Sequence, residues 1–361
     1  MNKRILFLAA AVMTLLYSCK KNDSSPSPTV KPATGLYVLT EGGYGANDAA
    51  LAYYDFTSAK VTTNFFASVN KRALGDVAND IAIYGSKMYI VVNNSNTVEI
   101  MEAATGKSLQ QISLVDAANP YGYSPRHIAF ANGKAYVTTY ASKIVVIDTT
   151  TNAIAQYIDC RSGAEAIAIA NNKMYVSVPG VYPHSGDSTI SIIDLSSYKE
   201  VKTITVNQNP NLLQLDNYNH LYVICAGDYD KVPPSLAAIN INTDALISDD
   251  TTVQADNIAI SGSKAYLYKS TYVDDSKSNV MTYDVQNVKL INRNFITDGT
   301  TVKYYYGINT DPATGDVYVV DALSSTSAQS KITCFTSAGK TKFNFTLADY
   351  GSYASKIVFL R

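Results

Sequence analysis

The chain predicts an all-β fold: a seven-bladed β-propeller, its ring closed by pairing of the C-terminal strand with the N-terminal blade. Three observations lead there. A Tyr-hydrophobic step recurs at Tyr37, Tyr89, Tyr136, Tyr175, Tyr222, Tyr266 and Tyr318, spaced by 52, 47, 39, 47, 44 and 52 residues. A second apolar strand stands at a nearly constant distance before most of these tyrosines. The two ends of the chain read as complementary halves of one unit. Four short strands in every ~40–50 residues is the period of propeller blades.

Taken in order, the chain begins with an address. Lys3 and Arg4 precede an apolar run from Ile5 to Leu16, the length of a signal-peptide core and too short to span a bilayer comfortably. Leu16-Tyr17-Ser18-Cys19 resembles a bacterial lipobox. Residues 1–18 are therefore expected to be a lipoprotein signal peptide, with Cys19 lipidated. Residues 19–34 carry Ser24-Ser25-Pro26-Ser27-Pro28 and are expected to be a flexible tether. Residues 35–361 make the propeller.

Within each unit the first strand is apolar, as in Ile81-Ala82-Ile83, Ile128-Ala129-Phe130, Ile167-Ala168-Ile169 and Ile258-Ala259-Ile260. Gly85-Ser86, Asn132-Gly133, Asn171-Asn172 and Gly262-Ser263 then supply hairpin turns. The Tyr strand follows. A third strand often ends in Asp, as at Asp148, Asp194 and Asp284, and a fourth runs as in Ala153 to Ile158. The chain enters at Gly35-Leu36-Tyr37-Val38, a second strand with no first. It leaves at Lys356-Ile357-Val358-Phe359-Leu360, a first strand with no second. Pairing the two removes the exposed edges.

Composition narrows the function. Lys plus Arg is 29 against 30 for Asp plus Glu, so no basic excess speaks for nucleic acid. Three His and four Cys leave few metal ligands. Cys160, Cys225 and Cys334 have no C-x-x-C spacing, and no H-E-x-x-H, G-x-S-x-G or calcium-loop pattern occurs. No metal and no cofactor is expected. Gly42-Gly43-Tyr44-Gly45 joins two strands and does not open a helix, so it is no phosphate cradle. Asp228-Tyr229-Asp230 and Asp274-Asp275 read as solvated loops.

Strand alternation places second-to-third and fourth-to-first connections on one face, and that face carries the long loops. These are Glu41–Asp48, Ser68–Asn79, Asp116–Arg126, Pro179–Thr189, Ala226–Ser235, Lys269–Asn279, Thr297–Tyr306, Asp321–Ser330 and Ala348–Ser355. They bear Tyr44, Tyr121, Tyr123, Tyr182, His184, Tyr229, Tyr272 and Tyr353, with Tyr140 beside them. Large stiff rings with a hydroxyl suit a ligand platform. The residue two before each first-strand apolar position should rim the channel. That register yields Asn79, Arg126, Glu165, Asn211, Asp256, Tyr306 and Ser355. The mixed ring suits a large neutral polar ligand better than a polyanion.

Gly35 to Gly42, Ala49 to Asp55, Leu74 to Ile81 and Tyr89 to Ser95 resemble the surface lipoprotein propellers of Bacteroidetes, related to the YncE-like (YVTN) seven-bladed repeats. The resemblance implies an outer-membrane, lipid-anchored, surface-facing protein. It implies capture of a corrinoid such as cobalamin, or another large nutrient, and handover to a TonB-dependent outer-membrane transporter. The expected function is therefore non-catalytic nutrient binding, with the membrane met through the lipid anchor only. The alternatives are a propeller enzyme of lactonase, lyase or quinone-dependent dehydrogenase type, and a protein-interaction scaffold. Fold alone does not choose among them.

Overall fold

β-Branched and aromatic residues set the strands, and their burial tells the layers apart. Lys87–Val92, Lys134–Thr139, Lys173–Val178 and His220–Cys225 are each buried from their second residue to their last. Such strands are covered on both faces, so they read as continuous apolar runs instead of alternating ones. Ser108–Ser113 and Glu200–Thr205 are mostly exposed, with one buried position apiece, as outermost strands should be.

The computed structural model describes residues 31–180, 187–271, 278–323 and 328–361. These residues form seven four-stranded antiparallel sheets. Blades 2 to 7 start from innermost strands Ala78–Tyr84, Pro125–Ala131, Ile167–Ala170, Pro210–Leu215, Asn257–Ser261 and Tyr305–Thr310. Blade 1 takes its innermost strand, Ala354–Leu360, from the chain end, beside Gly35–Thr40, Ala50–Asp55 and Lys60–Thr62. Tyr37 lies opposite Val358 and Gly35 opposite Leu360. Thr34 N donates to Leu360 O (2.8 Å) just beyond the pair. The innermost strands contact one another in an unbroken cycle. Blades 7 and 1 meet so closely that a Cβ at Gly307 would lie 2.6 Å from Ser355 O.

The turns obey local chemistry. Asn132-Gly133 and Asn171-Asn172 have positive φ at both central residues, the type I′ pattern, while Gly85 and Gly262 alone are positive in their two-residue turns, the type II′ pattern. The aspartates that end third strands fold the next turn back on themselves. Asp148 Oδ1 accepts from Thr150 N and Thr151 N (both 2.9 Å), and Asp55, Asp194 and Asp284 repeat the motif.

The recurrent tyrosines join neighbouring blades. Tyr37 Oη donates to Ala103 O (2.8 Å), Tyr175 Oη to Ile241 O (3.1 Å) and Tyr222 Oη to Val285 O (2.8 Å). Each acceptor is the residue just after a third strand of the next blade. At blade 2 the pattern breaks. Lys87 Nζ takes the equivalent carbonyl, Thr149 O (2.6 Å), and the buried Tyr89 hydroxyl has no partner among the described residues.

Two expectations need correction. Part of the segment read as a loop at Ser68–Asn79 is a short helix, Phe65–Asn70, capped by Asn64 Oδ1 on Ala67 N (3.4 Å) and anchored by fully buried Phe66. On the long-loop face, the connections 93–96 and 140–142 are tight turns, so loop length varies from blade to blade.

Candidate functional site

The rim of the channel is built by a repeated backbone device. In blades 1, 2, 3, 5 and 7 the innermost strand slips its register where it reaches the long-loop face. Ala78 pairs Val92 while Asp80 pairs Val91, which leaves Asn79 as an extra residue. Asn211, Tyr306 and Ser355 are extra in the same way, and Arg126-His127 span the slip in blade 3. Such bulges bend a strand and re-aim its side chains. All seven rim residues of the sequence register, Asn79, Arg126, Glu165, Asn211, Asp256, Tyr306 and Ser355, line one cavity of ≈ 400 Å³.

Blades 2 to 4 supply a wall whose polar groups bond one another. The Arg126 guanidinium grips Glu165 through Nε (2.9 Å to Oε2) and Nη2 (2.7 Å to Oε1). Asn79 Oδ1 accepts from Arg126 Nη1 (2.6 Å), and the Tyr140 ring lies 4.7 Å from the guanidinium carbon. His127 sits between two acids, with Nδ1 3.2 Å from Asp80 Oδ2 and Nε2 3.2 Å from Glu165 Oε1. Burial opposes the imidazolium, yet Asp80 and Glu165 together hold the His127 pKa above its ordinary value. Burial likewise opposes the Glu165 carboxylate, and His127 and Arg126 still pull it down to about 2. Asp80 is lowered against its burial by Lys356 and His127. When protonated, His127 donates from both ring nitrogens, one to each carboxylate.

Blades 5 to 1 supply the other wall. Asp256 is engaged by Lys269 Nζ (2.5 Å) and Ser270 N (2.8 Å). Tyr306 Oη donates to Glu41 Oε2 (2.9 Å), and Tyr306 lies against Tyr353 at 5.2 Å between ring centroids. Burial raises the Glu41 pKa, offset in part by that hydroxyl, by the nearby Ser355 hydroxyl and by Arg126 and Lys356. Asn211 and Lys356 line the cavity with no side-chain hydrogen bond to another described residue, and buried Ser355 Oγ likewise has no partner.

The loop tyrosines divide. Tyr44, Tyr121 and Tyr229 stand at loop tips with 84%, 92% and 85% of their surface exposed. Tyr140 and Tyr353 are partly exposed beside the mouth. Tyr123 does not belong to the platform. It is buried, stacks on Tyr157 at 5.1 Å and bonds Asp116 Oδ2 (3.1 Å), because Gly122 turns it back into the blade 2–3 core. Arg126 is at the mouth, but its charge is spent on Glu165. Tyr182, His184, Tyr272, the Asp274-Asp275 pair and Cys19 lie outside the described residues.

Residues 34–360 match a family described as a domain of unknown function, DUF5074. The chain belongs to that family. No curated protein matches the sequence of this DUF5074 chain. Among solved structures it is similar to hydrazine synthase of Kuenenia stuttgartiensis, with TM-score 0.56 and 15% identity over 69% of this chain and 73% of that one. It is similar to the computationally designed Ika8 protein, with TM-score 0.55 and 12% identity over 90% of each. BamB from Moraxella catarrhalis aligns with TM-score 0.50 and 15% identity over 87% of this chain and 83% of that one. At such identities the likeness is one of fold.

Sequence register missed Glu41, Asp80, His127, Asn257 and Lys356, all of which line the channel. Four of them directly follow a rim position, as Asp80 follows Asn79 and Lys356 follows Ser355. Strict two-residue alternation sends such neighbours to the opposite face. Where a bulge interrupts the strand, consecutive residues can both reach the channel.

Proposed function

We propose that this DUF5074 chain is a binding protein that captures a bulky, hydrogen-bonding nutrient at the mouth of its propeller. A corrinoid is the first candidate, and an outer-membrane TonB-dependent transporter is the partner that would receive it. Cys19 would anchor the chain by lipid to the outer membrane, facing the cell surface. One observation carries the reading: the innermost strand bulges at the same place in five blades, and the bulges direct unlike polar side chains into one cavity. Repeats interrupted in register are where a scaffold stops serving packing and starts serving a ligand. A cavity of ≈ 400 Å³ takes one edge of such a ligand. The rest would lie across the loops that carry Tyr44, Tyr121 and Tyr229, whose exposed rings offer stacking faces. Capture of this kind asks no covalent chemistry of the mouth.

The test is calorimetric titration of the purified chain with cyanocobalamin. Binding is expected, weakened at least about tenfold by Asn211→Ala combined with Tyr353→Ala. Absence of heat at millimolar ligand would remove the corrinoid. Co-purification of a TonB-dependent transporter with the tagged chain tests the handover separately.

A further inference from the structure

We infer that the open wall is an oxyanion site: Lys356 Nζ bonds a carboxylate or phosphate group of the ligand, with Ser355 Oγ, Asn211 and Asn257 as further donors. The inference rests on the mouth being a ligand site and not on the ligand being a corrinoid.

Lys356 occupies a distinctive place. It lines the mouth cavity and both cavities below it, so it stands where the three meet along the channel. Among the described residues it makes no hydrogen bond and no ion pair within 4.0 Å. Asp80 and Glu41 act on it only through space. The other cations of the mouth are spent. Arg126 is clamped on Glu165, Lys269 on Asp256, and His127 on Asp80 and Glu165.

Ser355, the preceding residue, is a second and independent sign. The residue is 6% exposed, it lines the same cavity, and among the described residues its hydroxyl has no well-aligned hydrogen-bond partner. The hydroxyl lies close enough to Glu41 to help hold that carboxylate down, but it forms no well-aligned hydrogen bond with it. A buried hydroxyl left this way is costly unless something from outside satisfies it. Asn211 and Asn257 line the cavity too, and neither side-chain amide nitrogen donates to another described residue; Asn257 Oδ1 accepts from Ile258 N (2.9 Å).

The sign of the ligand group follows from what is unclaimed. Glu165, Asp80 and Asp256 already hold cations, and Glu41 is bonded by Tyr306. A cationic group would find no free acid. The unclaimed groups are an ammonium, a hydroxyl and two amides, a donor set made for oxygen acceptors. A lysine presents a point charge that serves a carboxylate and a phosphate alike.

The purified chain is titrated calorimetrically with inorganic phosphate in one arm and succinate in another. At least one anion is expected to bind, and the arm that gives heat identifies the group. Lys356→Met should weaken that anion at least about tenfold, whereas Lys356→Arg should stay within about threefold. Heat from neither anion at millimolar concentration overturns the inference, as does an unchanged affinity in Lys356→Met. If Lys356→Met loses its cooperative melt, Ser355→Ala decides: weaker binding supports the site and unchanged binding overturns it. Cyanocobalamin bound equally by the parent and Lys356→Met would leave the corrinoid standing and sink the anion site. Phosphate binding without cyanocobalamin binding would do the reverse.

Discussion

The two walls of the channel mouth are made by the same innermost strand, bulged in most blades of each, yet they leave their polar groups in different states. In blades 2 to 4, Asn79, Arg126, Glu165, His127 and Asp80 consume one another's charge and hydrogen-bonding capacity. In blades 5 to 1, the side chains of Asn211, Ser355 and Lys356 make no well-aligned hydrogen bond to another described residue. The closed wall holds the Arg and the acids that attract attention in a sequence. The open wall holds the residues able to greet a ligand. Charge type therefore says little about availability, because a guanidinium bonded bidentately to a carboxylate presents almost no net field to a third group.

The sharpest way to break this comparison is to remove the strand that completes the ring. Deleting residues 354–361 takes Ser355 and Lys356 from the open wall and exposes the edge of Gly35–Thr40. The expected outcome is loss of cooperative unfolding and aggregation, read by a thermal circular-dichroism melt. Next in size is Glu165→Gln. It strands Arg126 and His127 in a partly buried site and should cost on the order of 3 kcal/mol in urea denaturation. Asn211→Ala on the other wall should stay within about 0.5 kcal/mol. Equal effects would mean the walls do not differ.

The closed wall should also give stability a bell-shaped pH dependence. Glu165 lies far below its ordinary value of 4.5, so its contribution is present above that pH and is lost as pH falls toward about 2. The His127 pKa is raised, so its contribution is complete below 6.5 and is lost as pH rises through the folded value. Urea midpoints measured across pH should peak between 4.5 and 6.5 more strongly in the parent than in Glu165→Gln. The smallest effect serves as a control away from the mouth. Tyr222→Phe removes a staple to Val285 O and should cost about 1 kcal/mol, while Tyr89→Phe removes an unpartnered hydroxyl and should cost almost nothing. Chemical denaturation of the two variants decides it.

Much of the fold was legible because it repeats. Tyr37 and its six counterparts mark second strands in every blade, and the turn residues Asn132-Gly133 carry their own conformational signature. The rim positions were legible for the same reason, since they hold a fixed register to an apolar strand. What resisted reading was any departure from the repeat. Tyr123 sits in a loop by sequence, but packing against Tyr157 takes it inside. The helix Phe65–Asn70 follows from a single buried Phe66 that no periodicity announces. Glu41 meets its partner Tyr306, 265 residues away in the chain, only where the ring closes.

The sequence by itself determined the number of blades, the closure of the ring by its two ends and the positions that rim the channel. These depend on local propensity and on a period that each unit states again. Only the tertiary structure decided which rim residues neutralise each other and which are left open. That outcome depends on groups from different blades meeting across a few ångströms, a relation between distant positions that no single stretch of chain contains.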